Sequence, residues 1–189
     1  MRRLFLALAF AGVFLCSCGP EEKKAPRLST NVEDCRTAKT CEPIKPKTAY
    51  LLNGLGVYSM PGMMGAIALL LEDEGYKVTI LNHTDGKRLT SMPDVLIGHS
   101  MGANAALKRS HAFRKNPPKL IVSIDAGRAP LFWRAHPTAR TVSVYCPLHP
   151  IGGQYIDGAT NIKVCGTAHI AMPHDSRVLK IIKDEVRKL

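Results

Sequence analysis

Among the residues of this chain, a serine framed by two glycines has the clearest chemical capacity. Gly98-His99-Ser100-Met101-Gly102 reads G-x-S-x-G. It follows the apolar run Val95-Leu96-Ile97 and leads into Ala103, Ala105, Ala106 and Leu107. Strand, sharp turn and helix is the context that lifts such a hydroxyl above a sheet edge. The glycines let the backbone bend without clashing with the neighbouring strand and helix. The helix start behind Ser100 points N–H groups and the positive end of its dipole at any oxyanion formed there. The five-residue string alone leaves an incidental serine in a Gly-rich turn open.

A Ser hydroxyl is a poor nucleophile at neutral pH. It needs a His to take its proton and an acid to orient that His. Behind such a turn the expected chain order is Ser, acid, His. His169, in Gly166-Thr167-Ala168-His169-Ile170 after the last apolar run, is the preferred base, with His174 as the alternative. His99 is adjacent to Ser100 and is expected to point away from it. His83, His111, His136 and His149 are expected to be surface or structural residues. Asp125 closes the apolar stretch 121–124, a costly place for a carboxylate without a partner. Asp157, in a later loop, is the alternative acid. The N–H groups of Met101 and Leu55 are the expected oxyanion donors, Leu55 lying in Asn53-Gly54-Leu55-Gly56.

The elements that must position these residues alternate between strand and helix. Strands are expected at 49–53, 77–81, 94–98, 119–124, 140–146 and 161–165, and helices at 61–74, from 100 to about 113, and from Asp175 or Ser176 to the end. Met63 and Met64 read as core filler in the first helix. Apolar strands alternating with helices imply a mostly parallel sheet of about six strands, covered on both faces, with its site at the carboxyl ends of the strands. Ser100, Asp125, His169 and the 53–55 loop all fall at such ends.

The chain has 189 residues, 46% hydrophobic and 22% charged, enough for one packed domain, expected at 48–189. Met1-Arg2-Arg3 followed by an uncharged run to Cys18 reads as an export signal over 1–18, too short for a comfortable membrane span. Leu15-Cys16-Ser17-Cys18 resembles the bacterial lipoprotein box. Cys18 is then the lipidated N-terminus, and the chain is tethered to a membrane outside the cytoplasm; ordinary cleavage and secretion is the alternative. Residues 19–47, rich in Pro, Lys, Glu and Thr, read as a flexible or extended tether. Outside the signal, Cys35, Cys41, Cys146 and Cys165 suggest disulfides in an oxidising compartment, with Cys35 and Cys41 close enough in sequence to pair. The net charge of +11 comes without a nucleic-acid motif. It fits either a soluble basic surface or attraction to anionic envelope surfaces.

From about Thr48 onward the chain resembles a compact α/β-hydrolase of the serine esterase and lipase type. Gly98-His99-Ser100-Met101-Gly102-Ala103 is similar to the elbow of many lipases. Asp125-Ala126-Gly127-Arg128-Ala129-Pro130-Leu131-Phe132 resembles the acid-bearing segment of pancreatic-type lipases, which supports Asp125 over Asp157. Asn53-Gly54-Leu55 stands where such enzymes carry His-Gly-x, with Asn53 departing from the pattern. The resemblance implies hydrolysis of an ester or thioester through an acyl-enzyme, with no metal and no cofactor. It also makes the last two strands parallel neighbours, so that Cys146 and Cys165 can pair. No long insertion suggests a lid, which favours small or exposed esters. An acyltransferase on the same site and a non-catalytic envelope binding protein remain alternatives.

Overall fold

Two short runs are buried at every position: Val95 to His99 and Leu120 to Ile124. Burial on both sides is what a central parallel strand requires. The computed structural model describes residues 45–55, 62–128 and 134–189. Its elements are β1 (Lys47–Asn53), α1 (Gly65–Asp73), β2 (Tyr76–Asn82), β3 (Val95–His99), α2 (Met101–Ala112), β4 (Leu120–Ile124), β5 (Arg140–Tyr145), β6 (Thr160–Lys163) and α3 (Ser176–Val186). Short 3₁₀ helices span Asp85–Arg88 and His169–His174. The six strands form one sheet in the order β2-β1-β3-β4-β5-β6, and every pairing is parallel.

Side-chain alternation assigns the two faces. Val95 and Ile97 of β3 and Leu120, Val122 and Ile124 of β4 join the core under α1 and α3. Leu96 packs with Ala106 of α2, and Ile121 with Leu107 of α2, on the opposite face. Met64 and Ile67 belong to the first core, so Met64 fills space as expected. In α3, Val178, Ile182 and Val186 are buried at helical spacing. Asp175 caps this helix, its carboxylate accepting Arg177 N–H at 2.9 Å.

Several boundaries differ from the sequence reading. The first helix starts at Gly65 rather than at 61, because 62–64 form turns. The fifth and sixth strands stop at Tyr145 and Lys163, where their mutual pairing ends, so Cys146 and Cys165 lie just beyond it. The segment 169–174, expected as a loop, is 3₁₀ with Pro173 inside. Cys146 and Cys165 are disulfide-bonded, with Cα atoms 5.1 Å apart. The expected signal at 1–18, Cys18, most of the tether, and Cys35 and Cys41 lie outside the described residues. So do Gly56 and residues 129–133. Among the described residues no helix is long and apolar enough to cross a membrane.

The two glycines around Ser100 have a direct packing reason. A Cβ on Gly102 would collide with the Leu52 carbonyl of β1, and one on Gly98 with the backbone of Gly102. The first turn of α2 therefore rests on β1 and β3 with no room for a methyl group.

Candidate active site

Ser100 sits between β3 and α2 with φ 56° and ψ −123°. A non-glycine residue in this region carries strain of about 1–3 kcal/mol and needs surrounding structure to hold it. Three elements do so. The Ser100 N–H donates to Ile124 O at 2.9 Å, and its carbonyl accepts from Ala103 N–H at 3.0 Å and from Gly127 N–H at 3.2 Å. On its other side, the space where Gly54 would carry a Cβ lies 2.9 Å from Ser100 Cβ and 3.3 Å from Oγ. The loop after β1 thus runs directly against the serine.

Asp125 follows β4 and also has positive φ, 46°, a conformation that Asp tolerates better than most residues. It is fully buried. Its Oδ1 accepts Cys146 N–H at 3.0 Å, and its Oδ2 faces His169 Nδ1 at 2.5 Å. Burial alone would raise this carboxyl's pKa; the hydrogen bonds from His169, the Cys146 N–H and His149 outweigh it and hold the group below the usual carboxylate range. His169 opens the 3₁₀ helix after β6 and is itself buried. Gly152 packs flat against its ring, since a Cβ there would come within 2.6 Å of Nδ1.

Ser100, Met101, Gly54, Leu55 and His169 line one cleft of about 440 Å³. Asp125 lies beneath it, against His169. Among the described residues, Ser100 Oγ and His169 make no hydrogen bond to each other. Contacts of this kind commonly tighten only when substrate is bound. The residues singled out as alternatives lie elsewhere. Asp157 is exposed and pairs with Arg134 at 3.5 Å. His174 is exposed at the end of the 3₁₀ helix. Buried His136 accepts backbone N–H groups of Thr138 and Ala139, a structural role.

Two further histidines lie at this edge. His99 lines the same cleft as Ser100, and its ring lies 4.8 Å from that of His169, centroid to centroid. His149, expected to be a surface or structural residue, places Nδ1 against Asp125 Oδ2, the oxygen that also faces His169. The available signal was positional: His149 stands just past the carboxyl end of β5, on the same edge as Asp125 and His169. Asp125 Oδ2 and Nδ1 of His149 and His169 lie within 4.8 Å of one another, a donor set a divalent cation can use. A bound cation would have to replace the direct His–Asp hydrogen bonds, because both arrangements use the same atoms.

His99 donates through Nε2 to the His169 carbonyl at 2.9 Å, while its buried Nδ1 has no partner. Protonation would place an N–H there with nothing to accept it. Burial first, then the nearby His169, lowers the His99 pKa from 6.5 to about 4. The folded form thus binds the proton more weakly than the unfolded chain. Stability is fully present above about pH 6.5 and falls as pH drops toward 4, by about 3 kcal/mol. Urea titrations between pH 7 and 4 should show this slope in the wild type and a shallower one in His99→Gln, which keeps a donor for His169; buried His136, whose pKa is also lowered, supplies the slope that remains. Equal slopes in the two proteins would refute the assignment.

No family model and no curated protein matches the chain. Solved structures do. A protein of the alpha/beta hydrolase superfamily from Xanthomonas campestris pv. campestris superposes with a TM-score of 0.56, over 76% of this chain and 99% of that one, at 15% identity. The chain has the α/β-hydrolase fold. The esterase domain of a Rhodothermus marinus protein superposes on this hydrolase fold with a TM-score of 0.56, over 77% of this chain and 88% of its own, at 15% identity. Est1E from Butyrivibrio proteoclasticus gives 0.58, over 78% and 89%, at 13% identity. In a hydrolase fold of this kind the residues at the carboxyl ends of β1, β3, β4 and β6 share one edge, and here those ends bear Gly54, Ser100, Asp125 and His169.

Proposed function

We propose that this chain is a serine hydrolase acting on a carboxylic ester or thioester. The observation that carries the reading is the buried Asp125–His169 pair beside Ser100, which is held at positive φ on the same cleft. Ser100 Oγ attacks the carbonyl carbon while His169 Nε2 takes its proton. Asp125, at Nδ1, keeps the ring in the tautomer that leaves Nε2 free to accept. The N–H groups of Met101, at the start of α2, and Leu55 stabilise the oxyanion. Collapse of the tetrahedral intermediate expels the alcohol or thiol, which receives the proton from His169. Water then attacks the acyl-enzyme by the same route and restores Ser100.

The rim supports an apolar group on the substrate. Leu55, Ile151 and Ile170 line the cleft and are 60%, 59% and 59% exposed. Three large apolar side chains left in water at one opening are what an apolar ligand would cover. A fluorophosphonate probe tests the reading together with a panel of para-nitrophenyl esters of increasing acyl length. The expected result is one covalent adduct, mapped to Ser100, and hydrolysis that depends on acyl length. A folded protein that forms no adduct and cleaves no ester would sink the proposal.

A further inference from the structure

The turn that follows β5 grips both oxygens of Asp125. Cys146 N–H takes Oδ1 at 3.0 Å, and His149 Nδ1 takes Oδ2. The turn is closed by His149 N–H donating to Cys146 O at 3.1 Å. The far nitrogen of the same ring, Nε2, lies 2.8 Å from the Thr167 carbonyl. Thr167 is two residues before His169. The two loops are also joined covalently next to these contacts, by Cys146–Cys165. His149 is half-buried, and it does not line the cleft that Ser100 and His169 share.

A carboxylate and a carbonyl only accept, so the ring bridges them fully when both of its nitrogens carry N–H. A surface histidine has no reason to meet two fixed acceptors on different loops. We infer that His149 is a positioning residue of the site. It holds the Asp125 carboxylate and the His169-bearing loop in one arrangement, so that Asp125 Oδ2 stays on His169 Nδ1. This rests on the reading of Ser100, Asp125 and His169 as a catalytic set.

The physical need for it is visible in the loop. β6 ends at Lys163, six residues before His169, and the segment between is neither strand nor helix. Without His149, Thr167 O loses its partner and Asp125 Oδ2 keeps a single side-chain donor. The disulfide still limits how far the loop can move, but it does not orient Thr167 or the carboxylate. A displacement on the order of 1 Å at a catalytic group costs about 10²-fold in rate.

Three substitutions separate the two contacts. His149→Ala removes both; His149→Asn can present Nδ2 where Nδ1 was, toward Asp125; His149→Gln can present Nε2 toward Thr167. The expected result is a fall of about 10²-fold in kcat for the Ala variant with KM unchanged, because His149 does not line the cleft. Asn and Gln should each recover part of that loss. Proton NMR supplies a readout that does not depend on turnover. In Ser100→Ala protein, two carboxylate-bonded imidazole N–H resonances are expected far downfield, and adding His149→Ala should remove one. A kcat for His149→Ala within threefold of wild type would overturn the inference, and so would a kcat loss that leaves both resonances in place. If Ser100→Ala itself kept full hydrolysis, the catalytic reading would fail, while the resonance count would still report whether His149 holds Asp125.

Discussion

Ser100→Ala should hydrolyse short para-nitrophenyl esters about 10⁶-fold more slowly than the wild-type chain, a loss of about 8 kcal/mol in transition-state stabilisation. The expected loss is this large because, among the described residues, Ser100 is the one hydroxyl in the lining of the cleft, which there includes no Thr, Tyr or Cys. What remains would come from the cleft and the N–H groups at the start of α2. The fold should persist. Ala keeps the same Cβ at the same positive φ, so the backbone strain at position 100 is unchanged, and the contacts that hold it are backbone groups of Ile124, Ala103 and Gly127. Stopped-flow or end-point ester assays on protein with unchanged circular dichroism would check this. Activity in the variant within tenfold of wild type would remove Ser100 from the mechanism.

Asp125→Asn should lower kcat by about 10⁴-fold while leaving the protein folded. The direction follows from the two oxygens. Oδ1 receives the Cys146 N–H, a donor that cannot invert, so the amide oxygen of Asn must take that side. The amide NH₂ then faces Nδ1 of both His169 and His149. Each ring must accept at Nδ1 and carry its proton at Nε2. For His149 that suits the Thr167 carbonyl. For His169 it turns an N–H toward Ser100, where a lone pair is needed. The amide can donate one hydrogen to each ring, so no buried group is left unpaired and the stability cost stays modest. A kcat within tenfold of wild type would show that Asp125 does not set the His169 tautomer. The carboxyl also carries a pH signature. Its native pKa is lowered, so its contribution to stability is present above the ordinary carboxylate range and is lost as pH falls through the native value. Asp125→Asn should lack that acid-side loss.

Much of this arrangement is local and was readable from the chain. Apolar runs at 95–97 and 120–122 ask for burial on both faces, which is what central strands of a parallel sheet provide. The Gly-x-Ser-x-Gly spacing is likewise written in five adjacent residues, although only Gly98 has a local reason, the approach of Gly102, while Gly102 is required by the Leu52 carbonyl of β1. Element ends were less legible. α1 begins later than its apolar spacing suggested, and β6 stops where its partner β5 stops pairing, which no periodicity records. The Asp85–Arg88 turn has too few residues to show a period.

By itself, then, the sequence determined a doubly covered parallel sheet and put a serine, an acid and a histidine on its carboxyl edge. The tertiary structure decided which side chains meet there. It put Asp157 out against Arg134 and Asp125 beneath His169, and it brought His149 to the same carboxylate. Those contacts span 24 and 44 residues and run through irregular loops. Loop paths depend on where strands end, on the Cys146–Cys165 bridge and on which backbone groups still need partners, and none of these leaves a pattern in residue order.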